Sequence, residues 1–156
     1  AAGMLIMARD RDYRALLAAL RGKTVFIWTC STCARLCGGY GGPAAAARLA
    51  EELKGDGIEV LGTAATNASC LTEKVVHGLP ATAADVILSL TCDVGAAVVR
   101  QVSGKTVLSP AVTYGRGYLD ADRVPMLSVP APDGSLTAVS AAEAAAERGL
   151  RFGPFV

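Results

Sequence analysis

Three of the five cysteines crowd into one segment, Cys30-Ser31-Thr32-Cys33-Ala34-Arg35-Leu36-Cys37, with C-x2-C-x3-C spacing. That spacing lets a single loop turn three thiolates toward a common point. A fourth ligand must come from elsewhere, and Cys92 or Cys70 can supply it, giving four thiolates for one [4Fe-4S] cluster. Zinc accepts the same donors and is the alternative metal. Structural zinc sites usually draw two ligands from each of two close pairs, however, and no second pair is present in this chain. Disulfides inside the segment would be strained, and an odd number of cysteines leaves one unpaired. Cys30, Cys33 and Cys92 are the expected ligands because each lies at or just after a predicted strand end. The fourth is Cys37 or Cys70. Free cysteine is also a common small buried residue, which is the competing reading for Cys70 and Cys92.

Gly38-Gly39-Tyr40-Gly41-Gly42-Pro43 runs from the last clustered cysteine toward a helix start. Backbone amides of Gly38, Gly39, Gly41 and Gly42 are candidate donors to an anion, either a phosphate or the sulfurs of a four-thiolate cluster. Neither a G-x-x-x-x-G-K-[ST] pattern nor a convincing G-x-G-x-x-G is present, so a nucleotide is the weaker partner. A flexible turn is the plain alternative. Asp93, Arg35 and Arg116 are placed near the cysteines, each reading equally as a solvated surface charge. Trp28 and Tyr40 are candidates to pack over the site, Trp28 more safely as core. His77, the single histidine, reads as a C-terminal helix residue. No Ser-His-Asp set or paired carboxylate assembles, and Asp85 precedes its strand at the opposite edge.

The elements that must position these residues follow from hydrophobic periodicity. Tyr13, Leu16, Leu17 and Leu20 recur at helical spacing and Gly22 suits a left-handed cap, so an N-terminal helical segment spans 1–22. Thr24 to Thr29 is a β-branched and aromatic run that is apolar on both faces, as befits a strand covered by helices on each side. Pro43 opens a helix with Ala46, Leu49, Ala50 and Leu53 on one face. Strands at 58–63, 86–90 and 105–108 alternate with helices at 72–77 and 94–102. This order predicts an α/β fold, a small Rossmann/flavodoxin-like parallel sheet with helices on both faces. Cys30, Cys70 and Cys92 then meet at the carboxyl edge, where open α/β sheets bind ligands. The metal-binding core is 23–120. Residues 110–117 are read as a loop leaving the fourth strand, and 121–156 as an irregular linker, a last helix at 141–148 and a tail, all within one domain.

At 156 residues and 52% apolar content the chain suits a single core. Fifteen Lys and Arg against 14 Asp and Glu give no basic excess, which argues against nucleic acid as partner. The apolar runs are far short of the roughly 20 residues of a membrane-spanning helix. Ala1 to Ala8 lack the basic start and long apolar core of a secretory signal, so the expectation is a cytoplasmic chain whose clustered thiols serve metal or redox chemistry.

These pieces together carry a resemblance. Cys30-x2-Cys33-Ala34-x2-Cys37 followed by Gly-Gly, then Glu51 to Gly62, Cys70-Leu71, Ala84-Asp85-Val86-Ile87-Leu88, Cys92-x-Val94-Gly95 and Pro110-Ala111-Val112-Thr113 span about residues 24 to 117. In order and spacing the chain resembles the small iron-sulfur subunit of acetogen-type methylenetetrahydrofolate reductases. The second Gly-Gly at Gly41 and Gly42 departs from the family pattern, as does Asp93 where glycine is expected after Cys92. The resemblance implies a non-catalytic subunit that binds a four-iron cluster and a flavoprotein partner, with the FMN in that partner. The apolar tail residues Phe152, Pro154, Phe155 and Val156 are then expected either in the interface or folded back on the chain's own core. A zinc-stabilised interaction domain and a free-standing nucleotide-binding enzyme are the competing functions.

Overall fold

The run Thr24–Cys30 forms β2, and its alternating side chains enter two different cores. Val25 and Ile27 join Leu16, Leu20, Leu49 and Leu53 on one side, whereas Trp28 joins Val75, Ile87 and Val99 on the other. A strand buried on both faces needs helices above and below it. These are α1 (Tyr13–Leu20) and α3 (Pro43–Gly55) on the first side, α4 (Thr72–Gly78) and α5 (Asp93–Ser103) on the second. The computed structural model describes residues 3–156 and shows β2 flanked by β3 (Glu59–Thr66) and β4 (Val86–Leu90), with β5 (Thr106–Leu108) beyond β4. All three pairings are parallel. The fold is therefore α/β with a parallel sheet.

Local signals start and stop these helices. The Asp12 carboxylate accepts from the Ala15 amide at 2.8 Å and caps α1. Pro43 opens α3, where its missing N–H costs nothing, and Gly104 closes α5 at φ 64°. The strand order β3-β2-β4-β5 reverses direction at β2, so the crevice between the carboxyl ends of β2 and β4 is the topological switch point. Cys30 ends β2, and Cys92 follows β4 as the N-cap of α5.

A second sheet was absent from the sequence reading. It is antiparallel, in the order β1-β6-β7-β8, formed by β1 (Met4–Arg9), β6 (Ala111–Leu119), β7 (Pro125–Pro130) and β8 (Leu136–Ser140). The segment 1–22, predicted as helical, therefore begins with a strand; its residues 1 and 2 lie outside the described residues. Residues 110–117, predicted as a loop, are mostly strand β6. The predicted linker is largely the β7–β8 hairpin. Close approach explains the glycines that hid this sheet: a Cβ on Gly117 would stand 1.8 Å from the Met126 carbonyl oxygen and 2.8 Å from Ile6.

Helix α6 (Ala141–Glu147) follows, capped by the Ser140 hydroxyl. The tail then returns to β1, where Arg151 and Arg9 exchange backbone hydrogen bonds of 2.9 and 2.8 Å. Phe152 and Phe155 pack on the core, so for them the folded-back alternative holds; Val156 stays 41% exposed. Among the described residues no helix is long and apolar enough to cross a membrane.

Candidate metal centre

Four of the five cysteines belong to one core cluster. Cys30, Cys37 and Cys92 are buried and Cys33 is partly buried against the same core. They come from three places. Cys30 ends β2, Cys33 and Cys37 bracket the one-turn helix α2 (Cys33–Leu36), and Cys92 caps α5. The thiols are electrostatic neighbours, since Cys33 and Cys92 act on Cys37, and Cys33 and Cys30 act on Cys92. Cys70 stands apart, exposed just before α4 and outside this cluster. Of the two candidates for fourth partner, the fold brings Cys37 to the others and leaves Cys70 on the surface.

Thr29 and Ser69 hold the surrounding loops in place. The Thr29 hydroxyl donates to the Leu90 carbonyl at 2.9 Å and accepts from the Gly42 amide at 2.8 Å, tying β2, β4 and the cysteine loop together. Ser69 accepts from Trp28 Nε1 at 3.0 Å and donates to the Gly95 carbonyl at 3.1 Å. Gly95 is needed there because a Cβ would come within 2.9 to 3.0 Å of Thr91 and Ser69. With no side chain to hold it off, the first turn of α5 settles against both, and the Gly95 amide donates to Cys92 Sγ at 3.4 Å.

Strand β1 supplies the remaining wall. The Leu5 amide donates to Cys33 Sγ at 3.4 Å, and Cys37 Sγ donates to the Leu5 carbonyl at 3.4 Å. Cys30 Sγ shares a hydrogen with the Thr32 hydroxyl at 3.1 Å. Sequence reasoning missed Leu5 altogether. Its signal is the uninterrupted apolar run Met4 to Ala8, long enough for one buried strand.

Burial governs the charge state. It pushes the Cys37 thiol up to about 11, opposed by the Met7 backbone amide, and it raises Cys92 against the amides of Gly95 and Val94. Without a metal both sulfurs carry protons at neutral pH. A metal must displace those protons.

The glycine loop behaves differently from a cradle. Amides of Gly39, Gly41 and Gly42 donate to Arg35 O, Ala34 O and Thr29 Oγ1, so these three are spent inside the protein. Gly41 is required by packing, because a Cβ there would lie 2.7 Å from both Ala34 and the Leu90 carbonyl. Gly38 presents its α-carbon to the Phe152 ring. The backbone donors that act on sulfur come from elsewhere: Leu5 at Cys33, Met7 at Cys37, and Gly95 and Val94 at Cys92. Trp28 is fully buried, and His77 sits in the last turn of α4 with Nδ1 2.7 Å from the Glu73 carbonyl. The Asp93 carboxylate accepts from the Thr113 amide at 3.2 Å and the Asp93 amide donates to the Thr113 hydroxyl at 2.9 Å, which carries α5 onto β6.

The donor types suit a four-iron cluster: four cysteines border one core, and backbone amides are directed at the sulfurs of Cys33 and Cys92. Among the described residues no three His, Cys, Asp or Glu side chains stand together as a ready ion site. Loading would thus draw in thiols carried by three separate elements. Compared with protein-family models, curated proteins and solved structures, the chain matches none.

Proposed function

We propose that this chain is an iron-sulfur subunit that works beside a flavin-containing methylenetetrahydrofolate reductase. The observation that carries the reading is that Cys30, Cys33, Cys37 and Cys92 border the same core and that their thiols influence one another electrostatically, with Cys30 and Cys92 at the ends of neighbouring strands. Cys30, Cys33, Cys37 and Cys92 would hold one [4Fe-4S] cluster, and the sheet is read as a small Rossmann/flavodoxin-like core. Bound there, such a cluster supplies one-electron transfer or a rigid brace for the complex. The chain's own residues do the rest. Burial of Cys37 and Cys92 limits water at their sulfurs, and the amides of Gly95 and Val94 favour the Cys92 thiolate once its proton has left.

The active chemistry belongs to the partner. No nucleophile, base and orienting group converge at this edge, so the chain is assigned no catalytic residue, and the FMN is placed in the flavoprotein. The setting is one-carbon metabolism in the cytoplasm. With Phe152 and Phe155 committed to the chain's own core, the contact with the flavoprotein is assigned to the cysteine-bearing edge rather than to the tail. Purification at native expression level tests the complex directly. The expected result is a co-purifying flavoprotein whose viologen-coupled methylenetetrahydrofolate reduction depends on this chain; a lone monomer with its own folate-independent turnover would refute it.

A further inference from the structure

A cleft of about 220 Å³ opens where the cysteine loop meets the β6–β7 turn, lined by Arg35, Leu36, Gly38, Gly39, Leu119, Arg123 and Pro125. Its two charged groups are both cationic. Among the described residues the ion pairs are Arg11 with Asp10 and Lys54 with Glu51, so neither cleft arginine is neutralised by a carboxylate. The Arg35 side chain is held by its surroundings, and Arg123 by its backbone alone. The Arg35 stem lies over Gly42, where a Cβ would come within 2.9 Å of Arg35 Cγ, and its Nε donates to the Ser31 carbonyl at 2.7 Å. Two terminal nitrogens remain as donors.

Arg123 is held by backbone geometry. It is the one non-glycine residue at positive φ among the described residues, at 62°. The Asp120 carboxylate accepts the amides of Asp122 and Val124 at 2.9 Å each, and Arg123 N donates to the Asp120 carbonyl at 2.9 Å, so the turn is fixed on several sides. Glycine or asparagine would take that conformation more cheaply. Arginine at this position sets a guanidinium on a turn whose backbone is fixed.

We propose that this cleft binds the phosphoryl group of a small phosphate ester. Two arginines from different elements line the cleft with no carboxylate among its lining residues, and arginine is the side chain best suited to multidentate oxyanion contacts. Leu36, Leu119 and Pro125 give an apolar floor for the rest of the ester. The site is independent of the metal reading.

Isothermal titration of the full chain as purified tests it, with phenyl phosphate and inorganic phosphate as probes and sodium chloride at matched ionic strength as control. Saturable heat is expected with phenyl phosphate and none with the chloride control. R123G keeps the turn conformation and removes the guanidinium. It should weaken binding by about tenfold or more, the scale of a lost charge-assisted contact, without lowering the thermal midpoint. A tighter response to inorganic phosphate than to phenyl phosphate would overturn the ester and assign the cleft to the free ion. Absence of saturable heat, or equal affinity in R123G, would overturn the site itself. Iron content, measured on the same samples, reports separately on the cysteines.

Discussion

The five cysteines differ in what surrounds them, and that difference is testable residue by residue. Cys70 is exposed whereas Cys37 has no solvent access and a thiol raised toward 11, so in metal-free protein Cys70 should alkylate at least about tenfold faster. Peptide mapping after a short iodoacetamide pulse reads the order; equal labelling would show that the cysteine cluster is open. Tyr40 offers a second probe. Its hydroxyl is fully buried and has no hydrogen-bond partner, so Y40F should leave stability unchanged or raise it by up to about 1 kcal/mol in denaturant titration. Burial raises the Tyr40 phenol above its ordinary value of 10.0, and burial with nearby Cys37 raises Tyr114 to about 12. Between pH 10 and 12 the unfolded chain loses these protons while the folded chain keeps them. Stability should therefore fall as pH rises above 10, and Y40F should make that fall shallower. A stability that stays flat from pH 9 to 11.5 would contradict the burial of both phenols.

At the scale of elements, the parallel sheet could be read in the sequence because its signals are nearly continuous: Val25 to Trp28 is an unbroken apolar run, Val86 to Leu90 is interrupted only by Ser89, and Pro43, Gly55 and Gly104 mark helix ends. The antiparallel sheet could not. Gly115 and Gly117 interrupt β6, Pro125 and Pro130 bound β7, and β8 is exposed along nearly its whole length, so none shows a clean apolar alternation. The same limit applied to the site. Cys30, Cys33, Cys37 and Cys92 were readable as candidates, but the choice between Cys37 and Cys70 depended on β1 folding across the cysteine loop, a contact between residues about 30 positions apart. The glycine loop was misjudged for a related reason, since spacing alone does not show that three of its amides are spent on Arg35, Ala34 and Thr29. Gly117 tests the sheet that was missed. G117A should cost about 3 kcal/mol through overpacking against the Met126 carbonyl and Ile6, whereas G115A meets only the flexible end of Leu127 and should cost less. Equal losses in the two variants would count against the β6–β7 pairing.

For the whole molecule, two sheets meet around one group of sulfurs. The parallel sheet contributes Cys30 and Cys92 at its switch point, and the antiparallel sheet closes the group through Leu5, with α2 between them. The proposed cluster rests on four cysteines from three elements bordering one core. The decisive measurement is the iron and acid-labile sulfide content of anaerobically purified protein, wild type beside C92S and C70S. The account predicts about four of each per chain, with broad absorbance near ~400 nm, in wild type and C70S, and loss of both in C92S. A colourless protein holding one zinc, or an iron content unchanged in C92S, would contradict it.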